Sequence, residues 1–260
     1  MSAEHPDHII ATTEGHVRMV VINRPEKKNA LTSAMYDRLS DELEGATEDP
    51  AVRVVVITGV DGVFTSGNDL ADFQDSENVG EDFAAFRFLK TLARFPKPLV
   101  AAVNGLAVGI GTTMLLHCDL VYASSEAVFS VPFIRLGVTP EGGSSLLLPR
   151  SAGLRRATEM LMFGEPFSAD RALESGLITE IVAPDKLAPR VAERTALLAA
   201  QPPAAIRSAK ELIRGEYRDR LLAVLEREGK VFRDRLASPE AKEAFAAFFA
   251  KRPADFSQFE

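Results

Sequence analysis

Tryptophan is absent from the 260 residues, tyrosine occurs three times and cysteine once. With few aromatic platforms, a formal charge of −7 and no Lys/Arg run, the chain lacks the basic face that nucleic acid requires. The lone Cys118 cannot form an intramolecular bridge; beside the apolar Met114-Leu115-Leu116 it reads as a buried free thiol, which fits a reducing compartment. His5, His8, His16 and His117 have no ligand spacing, so no metal site is expected, and His117 reads as a satisfied helix-end residue. No apolar stretch reaches the roughly 18 residues of a membrane span, and the polar, acidic start Met1-Ser2-Ala3-Glu4-His5-Pro6-Asp7 lacks the basic-then-apolar form of a leader. Ser257-Gln258-Phe259-Glu260 carries no peroxisomal or ER address. The expectation is a soluble, cytoplasmic protein with no nucleic-acid or membrane partner.

Two nucleotide fingerprints are missing as well. Gly105 to Gly111 lacks the Lys-Ser/Thr ending of a phosphate loop, and no Gly-x-Gly-x-x-Gly follows a strand, so nucleotide hydrolysis and hydride transfer drop out. Ser144 and Ser145 have no neighbouring histidine to serve as a base, which leaves a serine hydrolase unsupported.

What is present is a 46% hydrophobic chain, long enough for one large core. Ile9 to Thr13 and Val17 to Ile22 flank Glu14-Gly15-His16 as a hairpin. Met35, Leu39, Leu43 and Ala46 fall on one face of a helix over Ser33 to Thr47. Arg53 to Thr58 and Leu99 to Val103 have no polar face and read as strands covered on both sides. Helices are predicted over Glu81 to Phe95 and Gly109 to His117, and strand-helix alternation implies parallel pairing. Leu120 to Tyr122, Ala127 to Ser130 and Leu177 to Val182 are shorter strand candidates. From Ser144 onward the pattern is mainly helical, and no internal repeat is visible. The division expected is an α/β core over 1–200 and a helical appendage over 201–260.

Chemistry concentrates in three glycine-rich segments. In Phe64-Thr65-Ser66-Gly67-Asn68-Asp69-Leu70, Gly67 can adopt angles closed to other residues while Asn68 presents its N–H. In Asn104-Gly105-Leu106-Ala107-Val108-Gly109-Ile110-Gly111, read as a loop entering a helix, Ile110 offers a second free N–H. Two such donors aimed at one oxygen stabilise an enolate or tetrahedral anion by about 3 kcal/mol each; the plainer reading is two tight turns. Pro140-Glu141-Gly142-Gly143-Ser144-Ser145 places one carboxylate at a glycine corner. Residue chemistry leaves Glu141 as either a helix cap or an acid/base. A helix start would lower its pKa, and an apolar pocket of Phe133, Ile134 and Leu136 would raise it. Arg24, Lys27, Lys28 and Lys97 read as solvated charges unless the ligand carries phosphates.

Taken together, Asn23-Arg24-Pro25, Asn29-Ala30-Leu31, Ser66 to Leu70, Ala102-Val103-Asn104-Gly105 and Cys118-Asp119-Leu120 resemble the crotonase (enoyl-CoA hydratase/isomerase) superfamily over about residues 8 to 255. The resemblance implies a spiral of ββα units with a C-terminal helical trimerisation region, a homotrimer or dimer of trimers, and an acyl-CoA thioester substrate. Coenzyme A is then part of the substrate, and no separate cofactor is implied. The thioester oxygen would lie between the Asn68 and Ile110 N–H groups. The two hydratase glutamates would fall at Thr113 and Phe133, which cannot activate water. The run through Glu141 is similar instead to peroxisomal-type delta3,delta2-enoyl-CoA isomerases, whose single catalytic glutamate matches Glu141. The substrate-contacting set implied is Arg24, Lys27 and Lys28 at the CoA phosphates, with Ala30, Ser66, Gly67, Asp69, Leu70, Gly109, Phe133 and Leu136 along the thioester and acyl path. Phe249 and Lys251 would reach a neighbour's nucleotide. The alternatives are hydration or another superfamily reaction, and a silent acyl-CoA-binding subunit in which Glu141 only caps a helix.

Overall fold

The computed structural model describes residues 8–70 and 83–259. It opens with the antiparallel hairpin β1 (Ile9–Glu14) and β2 (Val17–Ile22). Helix α1 (Ser33–Glu48) follows, its first turn capped by the Thr32 hydroxyl, which accepts from the Met35 N–H. The chain then repeats one plan three times: a strand in a large sheet, a short strand in a small sheet, and a helix. The units are β3 (Val54–Gly59), β4 (Val63–Thr65) and α2 (Ala84–Arg94); β5 (Leu99–Val103), β6 (Leu106–Val108) and α3 (Ile110–Thr113); β7 (Leu120–Ser124), β8 (Val128–Ser130) and α4 (Ser144–Ala152). Next come α5 (Leu154–Phe163), β9 (Phe167–Ser168), α6 (Ala169–Glu174), β10 (Glu180–Val182) and α7 (Leu187–Ala199). The C-terminal part is helical: α8 (Pro203–Arg214), α9 (Arg218–Leu236) and α10 (Pro239–Phe249).

The large sheet has the order β1-β2-β3-β5-β7-β10 and the small one β4-β6-β8-β9. From β2 to β10 every neighbour in the large sheet is parallel, as the strand-helix alternation requires. The all-apolar strands are covered on both faces. Val55, Ile57, Leu99 and Ala101 join the main core, while Val54, Val56, Val100 and Ala102 pack against Leu187, Val191 and Ala199 of α7. Each large aliphatic side chain so buried contributes roughly 1.5–3 kcal/mol.

Several sequence expectations need correcting. The segments around Ser66 and Asn104 are not wholly loops, since β4 and β6 precede the two glycine corners; three-residue strands carry no readable alternation. The Gly109 to His117 helix is one α turn, α3, continued by a 3-10 turn at Met114–His117. The Leu177 to Val182 strand shortens to β10. The helix expected from Glu81 begins at Ala84, and positions 81–82 lie outside the described residues, as does His5. Lys97 is no solvated charge. It is 5% exposed, and its ammonium donates to the carbonyls of Ala46, Asp49 and Val52 at 2.6, 2.7 and 2.8 Å, closing the C-terminal end of α1. Among the described residues no helix is long and apolar enough to cross a membrane.

Candidate active site

The small sheet brings the two glycine corners together. Parallel pairing of β4 with β6 sets Thr65 opposite Ala107. Asn68 and Ile110 lie three residues beyond each, at the C-terminal ends of adjacent strands. Gly67 sits at φ +90°, and a Cβ there would stand 2.7 Å from the Val108 carbonyl, so only glycine lets the corners approach this closely. No group among the described residues accepts from the Asn68 N–H. Ile110 is the first residue of α3, where N–H groups have no intrahelical acceptor. Neither N–H group has an acceptor among the described residues. Side chains fix the backbone around them: the Tyr36 hydroxyl donates to Asn68 Oδ1 at 2.5 Å, and the Thr112 hydroxyl reaches the Ala107 and Ser130 carbonyls at 2.7 and 3.0 Å.

Helix α3 and its 3-10 extension connect this pair to Glu141. Thr113, three residues or about 4.5 Å beyond Ile110, donates its hydroxyl to Glu141 Oε1 at 2.6 Å. His117 Nε2 lies 2.8 Å from the Gly142 carbonyl, and burial holds this ring down at about 4, so it is neutral and donates that hydrogen bond. Gly142 at φ +70° would place a Cβ 2.8 Å from Thr113 Oγ1, so the corner closes on the helix only without a side chain. His117 is only half satisfied, because its Nδ1 has no partner among the described residues.

Glu141 is 4% exposed. Burial pushes its carboxyl up to about 8; the Thr113 hydrogen bond opposes this, and the negative Glu228 adds to it. The two opposing effects weighed from sequence thus resolve in favour of burial, but the expected pocket is wrong in part. Ile134 is 42% exposed, and Phe133 and Leu136 pack in a separate cluster with Val131, Val138 and Met160. Phe133 still approaches the second glycine corner, its ring 3.9 Å from where a Gly109 Cβ would stand. The space beside Glu141 is a cavity of about 10 Å³, room for a single water molecule, lined by Phe86, Leu89, Lys90, Gly142, Leu225 and Gly229. A larger hollow of about 340 Å³, lined by Cys118, Asp119, Arg150, Arg214 and Tyr217 among others, contains none of these groups.

Nor does Glu141 cap α4. Gly143 is the N-cap residue, and the carboxylate that accepts from the Gly143 and Ser145 N–H groups belongs to Glu228 of α9, at 2.6 and 3.0 Å. Sequence reading missed Glu228, although a charge between Leu221, Val224, Leu225 and Phe232 interrupts an apolar stripe and was the available signal. Tyr36 was missed likewise.

The expected CoA-binding residues separate into two groups. Arg24 is not free for a phosphate: Nη1 donates to Asp69 Oδ2 at 2.7 Å and to the Ala30 carbonyl at 3.0 Å, so Arg24 and Asp69 neutralise each other. Lys27 and Lys28 are exposed beside that loop. The Ser66 N–H donates to the Lys28 carbonyl, the Gly109 N–H to that of Ser130, and Leu70 packs on the cluster holding Phe133. Asn29 organises the whole corner: fully buried, it accepts from the Arg24 N–H and donates to the Val63 carbonyl, both through its side chain. Phe249 is 47% exposed, and Lys251 is also on the surface.

The family model "Enoyl-CoA hydratase/isomerase" matches residues 12–259. The chain is 39% identical over 257 residues to enoyl-CoA delta isomerase 2 of Rattus norvegicus, covering 96% of this chain but only 66% of that relative's length. It is 34% identical to 2,3-dehydroadipyl-CoA hydratase of Escherichia coli K12, covering 95% of this chain and 98% of the relative. Among solved structures, an enoyl-CoA hydratase/isomerase of Pseudoalteromonas atlantica T6c superposes with a TM-score of 0.91 at 41% identity, over 96% of this chain and all of that one. The free donor pair at the ends of β4 and β6, the buried carboxylate across α3 and the spiral that holds them thus occur in a chain that belongs to the enoyl-CoA hydratase/isomerase family, within the crotonase superfamily.

Proposed function

We propose that the protein isomerises a 3-enoyl-CoA to the 2-trans-enoyl-CoA, moving one proton with one carboxylate. Ionised Glu141 takes a proton from carbon 2. The electron pair released from that C–H bond delocalises onto the thioester oxygen as a dienolate, held by the Asn68 and Ile110 N–H groups. The carboxylic acid just formed then returns the proton to carbon 4, and the double bond lies between carbons 2 and 3. No water, oxidant or second acid is consumed. Positioned general acid/base catalysis supplies about 10²–10⁴-fold and the donor pair a comparable factor.

The observation carrying this reading is the partner of Glu141. A hydroxyl, Thr113, touches the carboxylate where the hydratase pattern would put another glutamate. The name of the rat relative supports the same reaction, while that of the E. coli relative supports hydration. Lys27 and Lys28 are the cations we assign to the CoA phosphates.

Glu141→Gln keeps an acceptor for Thr113 and removes the base. It is expected to abolish conjugation of a 3-enoyl-CoA while acyl-CoA binding persists. Retention of more than a few per cent of turnover sinks the assignment, and wild-type protein that hydrates a 2-enoyl-CoA faster than it isomerises a 3-enoyl-CoA gives the reaction to the hydratases.

A further inference from the structure

The turn that carries Glu141 is clamped from two sides, and one clamp comes from far along the chain. His117 holds the Gly142 carbonyl. Glu228, 6% exposed in the middle of α9, takes the Gly143 N–H on one oxygen and, on the other, the Ser145 N–H together with a short bond from the Ser145 hydroxyl. The same helix presses on the turn directly, since a Cβ on Gly143 would lie 2.5 Å from Leu221 Cδ1. Leu225 and Gly229 continue this face into the wall of the cavity beside Glu141. The Phe232 ring packs edge-on against Phe86 of α2, whose ring and Leu89 form the opposite wall.

A neutral side chain would suffice to cap α4, and a buried carboxylate is a costly choice. No cation is paired with it among the described residues: Lys90 of α2 is drawn to Glu226 at 3.7 Å, Arg150 of α4 stacks on Tyr217, and His117 is neutral. The nearby charges are Arg227, its neighbour in sequence, and Glu141 itself. What a carboxylate adds over a neutral cap is three simultaneous hydrogen bonds and a negative potential at Glu141.

We propose that Glu228 is a positioning residue for Glu141: from α9 it fixes the Gly142-Gly143 turn that presents the carboxylate, so a helix of the C-terminal region bears on the proton transfer. This inference rests on the assignment of Glu141 as the base. Burial pushes the Glu228 carboxyl up while its bonds from Ser145 and Gly143 oppose this; in its ionised form Glu228 raises the affinity of Glu141 for its proton, and removing the charge lowers it.

The test measures kcat, KM and the pH–rate profile with a 3-enoyl-CoA for wild type, Glu228→Gln, Ser145→Ala and Glu141→Gln. Glu228→Gln is expected to lower kcat on the order of 10²-fold, with KM nearly unchanged and the rising limb of the profile moved to lower pH. Ser145→Ala, which removes one of the three donors and leaves the charge, is expected to lower kcat by a smaller factor. If Glu228→Gln folds and keeps both kcat, within about twofold, and the position of the limb, Glu228 is only a cap and the inference is overturned. If Glu228→Gln does not fold, Ser145→Ala decides alone, and unchanged kcat overturns it. An inactive Glu141→Gln beside a normal Glu228→Gln removes this inference and keeps the proposed function; an active Glu141→Gln removes both.

Discussion

A carboxyl group pushed up to about 8 makes a protein pH-sensitive in two ways. In catalysis the base must be ionised, so the rate with a 3-enoyl-CoA is expected to rise through a limb near that value, far above the range of an exposed glutamate. Thr113→Val removes the hydrogen bond that favours the ionised form, and the limb is then expected to move to higher pH; an unmoved limb would show that Thr113 does not tune the base. In stability the sign is also fixed. The folded carboxyl holds its proton more tightly than the unfolded one, whose ordinary value is 4.5. Its contribution is intact below about 4.5 and lost as pH rises through about 8. Glu141→Gln escapes that loss, so the melting temperature of the variant minus that of wild type is expected to grow between about pH 4 and pH 9. A difference that stays flat would mean that Glu141 is not buried as described. At the same scale, Lys97→Met would leave three carbonyls at the end of α1 without their donor and cost roughly 2–4 kcal/mol by denaturant midpoint.

At the scale of elements, the site is a junction of short strands. Asn68 and Ile110 are neighbours because β4 and β6 pair in parallel, with a register shift between Val63 and Thr65, and because Gly67 permits the close approach beyond the strands. Gly67→Ala sets a side chain at φ +90° and 2.7 Å from a carbonyl. It is expected to cost about 1–3 kcal/mol of stability and to lower kcat by displacing a donor, checked by denaturant midpoint and steady-state kinetics. Wild-type kcat in this variant would detach the Asn68 N–H from the chemistry. Long elements with one consistent face, α1, β3 and β5, were legible in the sequence because their periodicity extends over enough residues. The three-residue strands β4, β6 and β8 were not, or only vaguely, since pairing rather than local pattern defines them. The ββα repetition was invisible as a sequence repeat for a related reason: each unit is packed into different surroundings, so only the topology recurs.

For the whole molecule, the question is how the helical C-terminal part is held to the sheets. Asp119, one residue before β7, accepts from the Leu99 N–H and from Lys210 of α8 at 2.8 and 2.7 Å and pairs with Arg214 at 3.0 Å. Arg214 in turn reaches the Cys118 carbonyl at 2.5 Å. The Cys118-Asp119-Leu120 motif is therefore structural. Asp119→Ala strips two largely buried cations of their partner and is expected to destabilise the fold by roughly 3 kcal/mol, read from the denaturant midpoint; an effect near zero would show that α8 is held by packing alone. Leu154, Met162 and Phe163 of α5 and Leu212 of α8 are large apolar side chains 64–83% exposed. We propose that they are covered in a homotrimer or dimer of trimers, and a monomeric mass by light scattering would refute this.

The sequence by itself determined the α/β class, the parallel pairing, the family and the three segments that face one another, because burial patterns, glycine corners and motif order are written locally. It also nominated Glu141 without deciding between cap and base. Only the tertiary structure removed the cap reading, by bringing Glu228 from α9 to the end of α4, and it set Thr113 against Glu141 and buried that carboxyl. It likewise turned Arg24 from a candidate phosphate ligand into the partner of Asp69, and Lys97 from a surface charge into a buried anchor. These outcomes depend on contacts across dozens of residues, and the free energy of a charged group is set by whatever surrounds it in space.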